Sequence, residues 1–96
     1  TLRAADSLGR FGGEEFLAVL PESDLEAVCR AAERLRRAVA DATIALPDGE
    51  TVSLTVSLGA AAMHELTGDV SADALISRAD GRLYEAKAAG RNRVRP

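Results

Sequence analysis

Two glycines followed at once by two glutamates, Gly12-Gly13-Glu14-Glu15, stand between Arg10-Phe11 and the apolar run Phe16-Leu17-Ala18-Val19-Leu20. Backbone without Cβ lets peptide N–H groups come close to a ligand, a common way to reach a phosphate or a base edge. Carboxylates beside such a turn would repel a bare phosphate, and a divalent cation between the two removes the conflict. Glu14 would then hold Mg2+ (or Mn2+), a hard ion that prefers oxygen and takes one or two protein carboxylates together with substrate phosphates. On the residues alone, a Gly-Gly hairpin turn with two solvated glutamates is the plainer reading, and the apolar run is its buried strand.

The opposite pole is basic: Arg78, Arg82, Lys87, Arg91, Arg93 and Arg95 face only Asp80 and Glu85 in the C-terminal stretch. Cations near a helix C-terminus complement its dipole by ~0.3–1 kcal/mol without any ligand. The net charge of −3 gives no bulk electrostatic case for DNA or RNA as a partner. Ninety-six residues, 47% of them hydrophobic, suit one small core. No run approaches the ~18 apolar residues of a membrane span, and no signal-peptide pattern is present. A cytoplasmic domain is expected, whether or not a region outside this sequence anchors the parent protein to a membrane. The start at Thr1 reads as a piece of something longer. Cys29 falls on the apolar side of a helical pattern and reads as reduced core packing. His64 lies in a loop without metal-ligand spacing and reads as a surface histidine.

The elements that must position these groups follow from periodicity. Residues 8–11 and 16–20 flank the Gly-Gly turn as a β-hairpin, ended by Pro21. Ser23 with Glu26 has the form of a capping box, and Leu25, Val28, Ala32, Leu35 and Val39 predict an amphipathic helix over about 24–42. Pro47-Asp48-Gly49 marks a turn across which residues 44–46 pair with the next strand. In that strand Val52, Leu54, Val56 and Leu58 alternate with Ser53, Thr55 and Ser57, and residues 59–63 extend it. Ser71 predicts the N-cap of a second helix with Leu75, Ile76, Ala79, Leu83 and Ala86 on one face. Gly90 sits where a left-handed cap belongs, and residues 92–94 form a last short strand.

Three stretches in order, RFGGEEF (10–16), VSLTVSLGAA (52–61) and RADGRLYEAKAAGRNRV (78–94), resemble the GGDEF domain, the diguanylate cyclase catalytic domain, in its GGEEF variant. The resemblance implies an α/β (α+β) fold, a mostly antiparallel sheet flanked by helices like that of the polymerase palm and nucleotide cyclases. It makes residues 1–96 the C-terminal portion of a single GGDEF domain. The family's upstream strand with its first metal-binding Asp, and the helix that recognises guanine, would precede Thr1. The segment alone is therefore expected to leave a strand edge unpaired and to be inactive.

Carried over residue by residue, the resemblance implies that Gly12 and Gly13 shape the turn against the nucleotide, Glu14 is a metal ligand, and Glu15 supports the same catalytic site. Lys87 and Arg91 match the family's phosphate-contacting cations, which would stabilise charge building up on a triphosphate. Asp80 takes a structural part on the helix surface. Arg3-Ala4-Ala5-Asp6 lies where the family carries an RxxD inhibitory site for its product. An arginine plane stacks on guanine and grips phosphate while an aspartate accepts from the guanine edge. The helix face with Arg30 and Arg34, one turn apart, would supply further positive charge, Arg34 being the expected contact. The alternative is a solvated face paired with Glu26 and Glu33.

The function so implied is condensation of two GTP into cyclic di-GMP and pyrophosphate by a homodimer, with product inhibition through the RxxD site and an upstream sensory or dimerising domain. The alternative from another class is a catalytically inactive module that binds cyclic di-GMP or GTP and signals to a partner domain.

Overall fold

The computed structural model describes residues 7–12 and 15–96, of which 7, 8 and 10–12 are given by their backbone alone. Strands β1 (Ser7–Gly12) and β2 (Glu15–Val19) form the expected antiparallel hairpin, with Ser7 opposite Val19 and Gly12 opposite Glu15. A register shift between Arg10 and Gly12 re-aims the strand just before the turn. The apolar run is only half covered: Leu17 and Ala18 are half-buried, while Phe16 is 65% exposed and Val19 52%.

Helix α1 (Leu25–Asp41) carries the amphipathic pattern. Its cap corrects the sequence expectation: Asp24, not Ser23, accepts from the Ala27 N–H at 2.8 Å, and Ser23 Oγ donates to the Pro21 carbonyl. The charged acceptor one residue later reaches the same orphan donors and suits the positive end of the helix better than a hydroxyl. His64, exposed as expected, also helps to fix the start of this helix, because its Nε2 accepts from the Leu25 N–H at 3.1 Å.

Strands β3 (Ile44–Ala45) and β4 (Thr51–Val52) pair antiparallel across Pro47-Asp48-Gly49. The Gly49 N–H donates to Leu46 O at 3.0 Å and Gly49 has φ +91°, the arrangement of a three-residue hairpin loop. The single strand expected over residues 52–58 is instead divided. Val52 ends β4, and pairing resumes only at β5 (Leu58–Gly59), because residues 53–57 have no neighbouring strand among the described residues. The extension over 59–63 also ends early, although the Ala60 N–H still donates to Arg95 O, and a single 3-10 turn follows at Met63–Glu65.

Helix α2 (Ala72–Ala88) starts at Ser71, whose hydroxyl accepts from the Ala74 N–H as expected, and leads to β6 (Val94–Arg95). Strand β6 lies parallel to β5, with Leu58 opposite Val94. It begins two residues later than expected because Arg91 and Asn92 hold left-handed φ values of 64° and 47°. Two antiparallel hairpins and one parallel βαβ unit make the architecture α+β.

All the fully buried apolar residues among those described are alanines: Ala31, Ala60, Ala62 and Ala86. Their small volume lets the helices and the β5–β6 pair approach closely. Gly59 takes this furthest, since a Cβ there would strike the Ala79 carbonyl and the Leu83 N–H of α2. Beside this contact, both Arg82 terminal nitrogens engage both Glu65 oxygens at 2.7 Å, and Arg82 Nη1 also donates to Ala60 O at 2.8 Å. No helix among the described residues is long and apolar enough to cross a membrane.

Candidate functional site

The hairpin and the C-terminal end of α2 meet through charge. Glu15, opposite Gly12 in the hairpin register, lies 3.9 Å from the Lys87 Nζ, with both side chains about 40% exposed. The acidic turn and the basic pole, distant in sequence, are thus neighbours. In water an ion pair at this range contributes ~1 kcal/mol or less, so its importance is positional.

Arg91 follows from how α2 ends. The Gly90 N–H donates to Lys87 O and the Arg91 N–H to Ala86 O, the paired bonds of a Schellman cap, with Gly90 at φ +123° as the sequence anticipated. The chain then keeps positive φ through Arg91 and Asn92. Such backbone costs of order 1–2 kcal/mol per residue outside glycine and persists only when the surroundings hold it. Arg93 Nε donates to Arg91 O at 3.1 Å, and the Asn92 N–H donates to Ser57 Oγ at 3.1 Å. Arg91 is exposed, and among the described residues no hydrogen bond or ion pair engages its guanidinium. A pinned backbone carrying an unengaged guanidinium is suited to an anion arriving from solvent.

On α1, Arg30 pairs with Glu26 at 2.7 Å, while Glu33 takes Arg36 at 2.7 Å and Arg37 at 2.8 Å. The Arg36 hydrogen bonds first, then those of Arg37, hold the Glu33 carboxyl down at about 2. Arg34 is exposed and has no such partner among the described residues. Of the two candidate arginines, only Arg30 is in the solvated pair that the alternative reading requires.

Gly13, Glu14, Arg3 and Asp6 lie outside the described residues, and Gly12 is described by backbone alone. Of the two carboxylates beside the glycines, Glu15 on β2 is the described one, and a carboxylate oxygen is the kind of hard donor that a divalent cation such as Mg2+ takes from a protein. Among the described residues no group of three His, Cys, Asp or Glu side chains gathers where it could hold a metal ion. Burial raises the Cys29 thiol pKa, with Glu65 adding to it, which keeps the thiol protonated and fits packing over reactivity.

Sequence reasoning missed Arg36, Asn92 and Ser57, which together grip the turn bearing Arg91. The one available signal was Asn92 beside a glycine cap, since asparagine tolerates left-handed backbone.

Residues 1–93 match the family described as "Diguanylate cyclase, GGDEF domain". The chain is 46% identical over 94 residues to the uncharacterized protein YhcK of Bacillus subtilis, covering 98% of this chain and 26% of that protein. It is 45% identical over 93 residues to diguanylate cyclase DgcP of Pseudomonas aeruginosa, covering 97% of this chain and 13% of that protein. The chain thus spans about a quarter or less of these relatives' length. Two crystal structures share its fold. Diguanylate cyclase SiaD from P. aeruginosa, in complex with its activator SiaC, superposes with a TM-score of 0.85 at 34% identity, over 97% of this chain and 34% of that one. The GGDEF domain of DgcB from Caulobacter crescentus, in complex with c-di-GMP, gives 0.82 at 30%, over 97% and 52%.

Proposed function

The chain belongs to the GGDEF family of diguanylate cyclase domains, and on that premise we propose that the protein carrying it condenses two GTP into cyclic di-GMP and releases pyrophosphate. The observation that carries this reading is the meeting of Glu15 with Lys87, which brings the GGEEF hairpin to a cationic helix end where Arg91 is held ready.

In this reading two domains face each other, each holding one GTP, and the 3′-hydroxyl of each GTP attacks the α-phosphorus of the other in line. The bond from the α-phosphorus to the bridging oxygen breaks, and pyrophosphate carries away the electron pair. Gly12 and Gly13 let the hairpin backbone approach the nucleotide. Lys87 and Arg91 receive the β- and γ-phosphates, where fixed positive charge offsets what develops on the leaving group. Glu14, supported by Glu15, would hold Mg2+ or Mn2+, which supplies charge neutralisation and a lowered hydroxyl pKa when bound. Placing the two nucleotides for in-line attack needs both halves, so the catalytic unit is a homodimer.

Product inhibition belongs to the same proposal. Arg3 and Asp6 would bind guanine and phosphate of cyclic di-GMP, with Arg34 as the helix contact and Arg30 secondary to it because Glu26 already engages it. Product bound there favours an arrangement in which the two GTP sites do not meet.

The test is incubation of the full-length protein with GTP and Mg2+, with nucleotides separated by chromatography, beside its Glu14→Gln variant. Glutamine keeps size and hydrogen bonding but removes the charge, so product formation should fall by at least ~10²-fold with folding intact. Full activity of Glu14→Gln at saturating Mg2+ would make Glu14 a solvated turn residue. Absence of cyclic di-GMP from the wild-type reaction, with GTP or cyclic di-GMP still bound, would favour a binding module.

A further inference from the structure

Three successive residues, Gly90, Arg91 and Asn92, have φ of 123°, 64° and 47°, and only the first has glycine's freedom. The conformation of the turn must come from its contacts. Four of these are local or come from the residue before β5: Gly90 N–H to Lys87 O, Arg91 N–H to Ala86 O, Arg93 Nε to Arg91 O, and Asn92 N–H to Ser57 Oγ. The fifth comes from the other helix. Arg36 Nη1 donates to Asn92 Oδ1 at 2.9 Å, across 56 residues of sequence.

The rest of Arg36 explains why this contact is directional. Its Nε and Nη2 donate to the two Glu33 oxygens at 2.7 Å each, and the Arg36 side chain is only 20% exposed. A planar guanidinium fixed at two nitrogens has no rotation left, so Nη1 points where the plane dictates. A lysine could satisfy Glu33 or Asn92, but it has no rigid fork with which to hold both.

We propose that Arg36, fixed by Glu33, is a positioning residue for Arg91: through Asn92 it holds the turn from which the Arg91 guanidinium approaches the triphosphate. This rests on the reading of Arg91 as a phosphate contact. Arg36 itself touches no substrate. Its effect on the reaction passes through the backbone of residues 91–92, and it vanishes when Arg91 has no guanidinium to place.

That dependence supplies the test, made on the full-length protein with GTP and Mg2+. Two variants cut the link from opposite ends. Arg36→Lys keeps charge and loses the fork, while Asn92→Gly removes the acceptor and still accepts left-handed φ. Each should lower kcat/KM for GTP by about 10- to 100-fold, the scale of a small misplacement of a binding group. In an Arg91→Ala background neither should lower it further. A structural brace would behave otherwise, with losses that multiply with Arg91→Ala and track a fall in Tm. Multiplying losses, or both single variants within about twofold of wild type, overturn the proposal while leaving Arg91 as a phosphate contact. An Arg91→Ala variant with unchanged kcat and KM removes the phosphate-contact reading, and with it this proposal.

Discussion

Arg82 and Glu65 meet at two points, Nη1 to Oε1 and Nη2 to Oε2, both at 2.7 Å and both largely shielded, with side chains 17% and 15% exposed. The Arg82 hydrogen bonds, more than the Ala62 N–H that also donates to this carboxylate, lower Glu65 from the ordinary 4.5 to about 2. A carboxyl depressed in the folded state binds fewer protons there than unfolded. Its stabilisation is therefore present above pH 4.5 and is lost as pH falls toward 2. Glu65→Gln should cost about 1.5–3 kcal/mol at pH 7, the scale of a charge-assisted hydrogen bond. It should also flatten the decline in stability between pH 4.5 and 2, seen by urea denaturation across that range. Glu33 contributes in the same window with the same sign, but its side chain is 36% exposed and solvent screens it more, so a smaller slope remains. An unchanged acid slope in Glu65→Gln would remove the pair from the account.

Gly59 and Gly81 should respond oppositely to alanine. A Cβ at Gly59 strikes backbone atoms of α2, which cannot yield as a side chain would, so Gly59→Ala should destabilise by about 3 kcal/mol or more. At Gly81, inside α2, nothing lies within 4 Å of the added carbon, and Gly81→Ala should stabilise by about 0.5–1 kcal/mol. Thermal melts of both variants give the signs, and equal signs would contradict the close packing of β5 on α2.

Lys87→Ala and Arg91→Ala should each reduce kcat/KM for GTP by about 10²-fold, the scale of one electrostatic contact to developing charge, with little change in Tm because both side chains are exposed. Steady-state rates and melting curves on the same samples separate the two effects. Loss of activity matched by loss of fold would return both residues to dipole complementation.

Arg34 and Arg30, one turn apart on α1, differ in their partners. Arg34→Ala should weaken cyclic di-GMP by roughly 10- to 150-fold, as for removal of a charged hydrogen-bond donor. Arg30, already engaged by Glu26, should matter several-fold less. Arg3→Ala should relieve product inhibition while initial rates stay near wild type. Calorimetric titration and progress curves measure both. Equal effects at positions 30 and 34 would discard the distinction, and unchanged product affinity in Arg3→Ala would make Arg3-Ala4-Ala5-Asp6 a chance match.

Local rules made much of this protein legible from its letters. The spacing of Leu25, Val28, Ala32, Leu35 and Val39 gave helix α1 to within a residue at either end, and Ser71 and Gly90 marked the two ends of α2. The Asp-Gly turn announced the β3–β4 hairpin. These signals act within about four residues, where backbone hydrogen bonds and caps are decided before any distant contact exists. The family likeness of RFGGEEF, VSLTVSLGAA and RADGRLYEAKAAGRNRV was equally a property of the sequence, and the roles proposed for Arg3, Asp6, Gly13 and Glu14 rest on that likeness alone. What folding alone decided were the contacts between residues far apart in the chain. No pattern in the letters divides residues 52–58 between two strand pairs, because alternation shows where side chains point and not which neighbour will be alongside. Nor does it bring Glu15 to Lys87, Glu65 to Arg82, or Arg36 to Asn92. Each of those pairs joins elements far apart in the chain, at a distance set only when the elements dock.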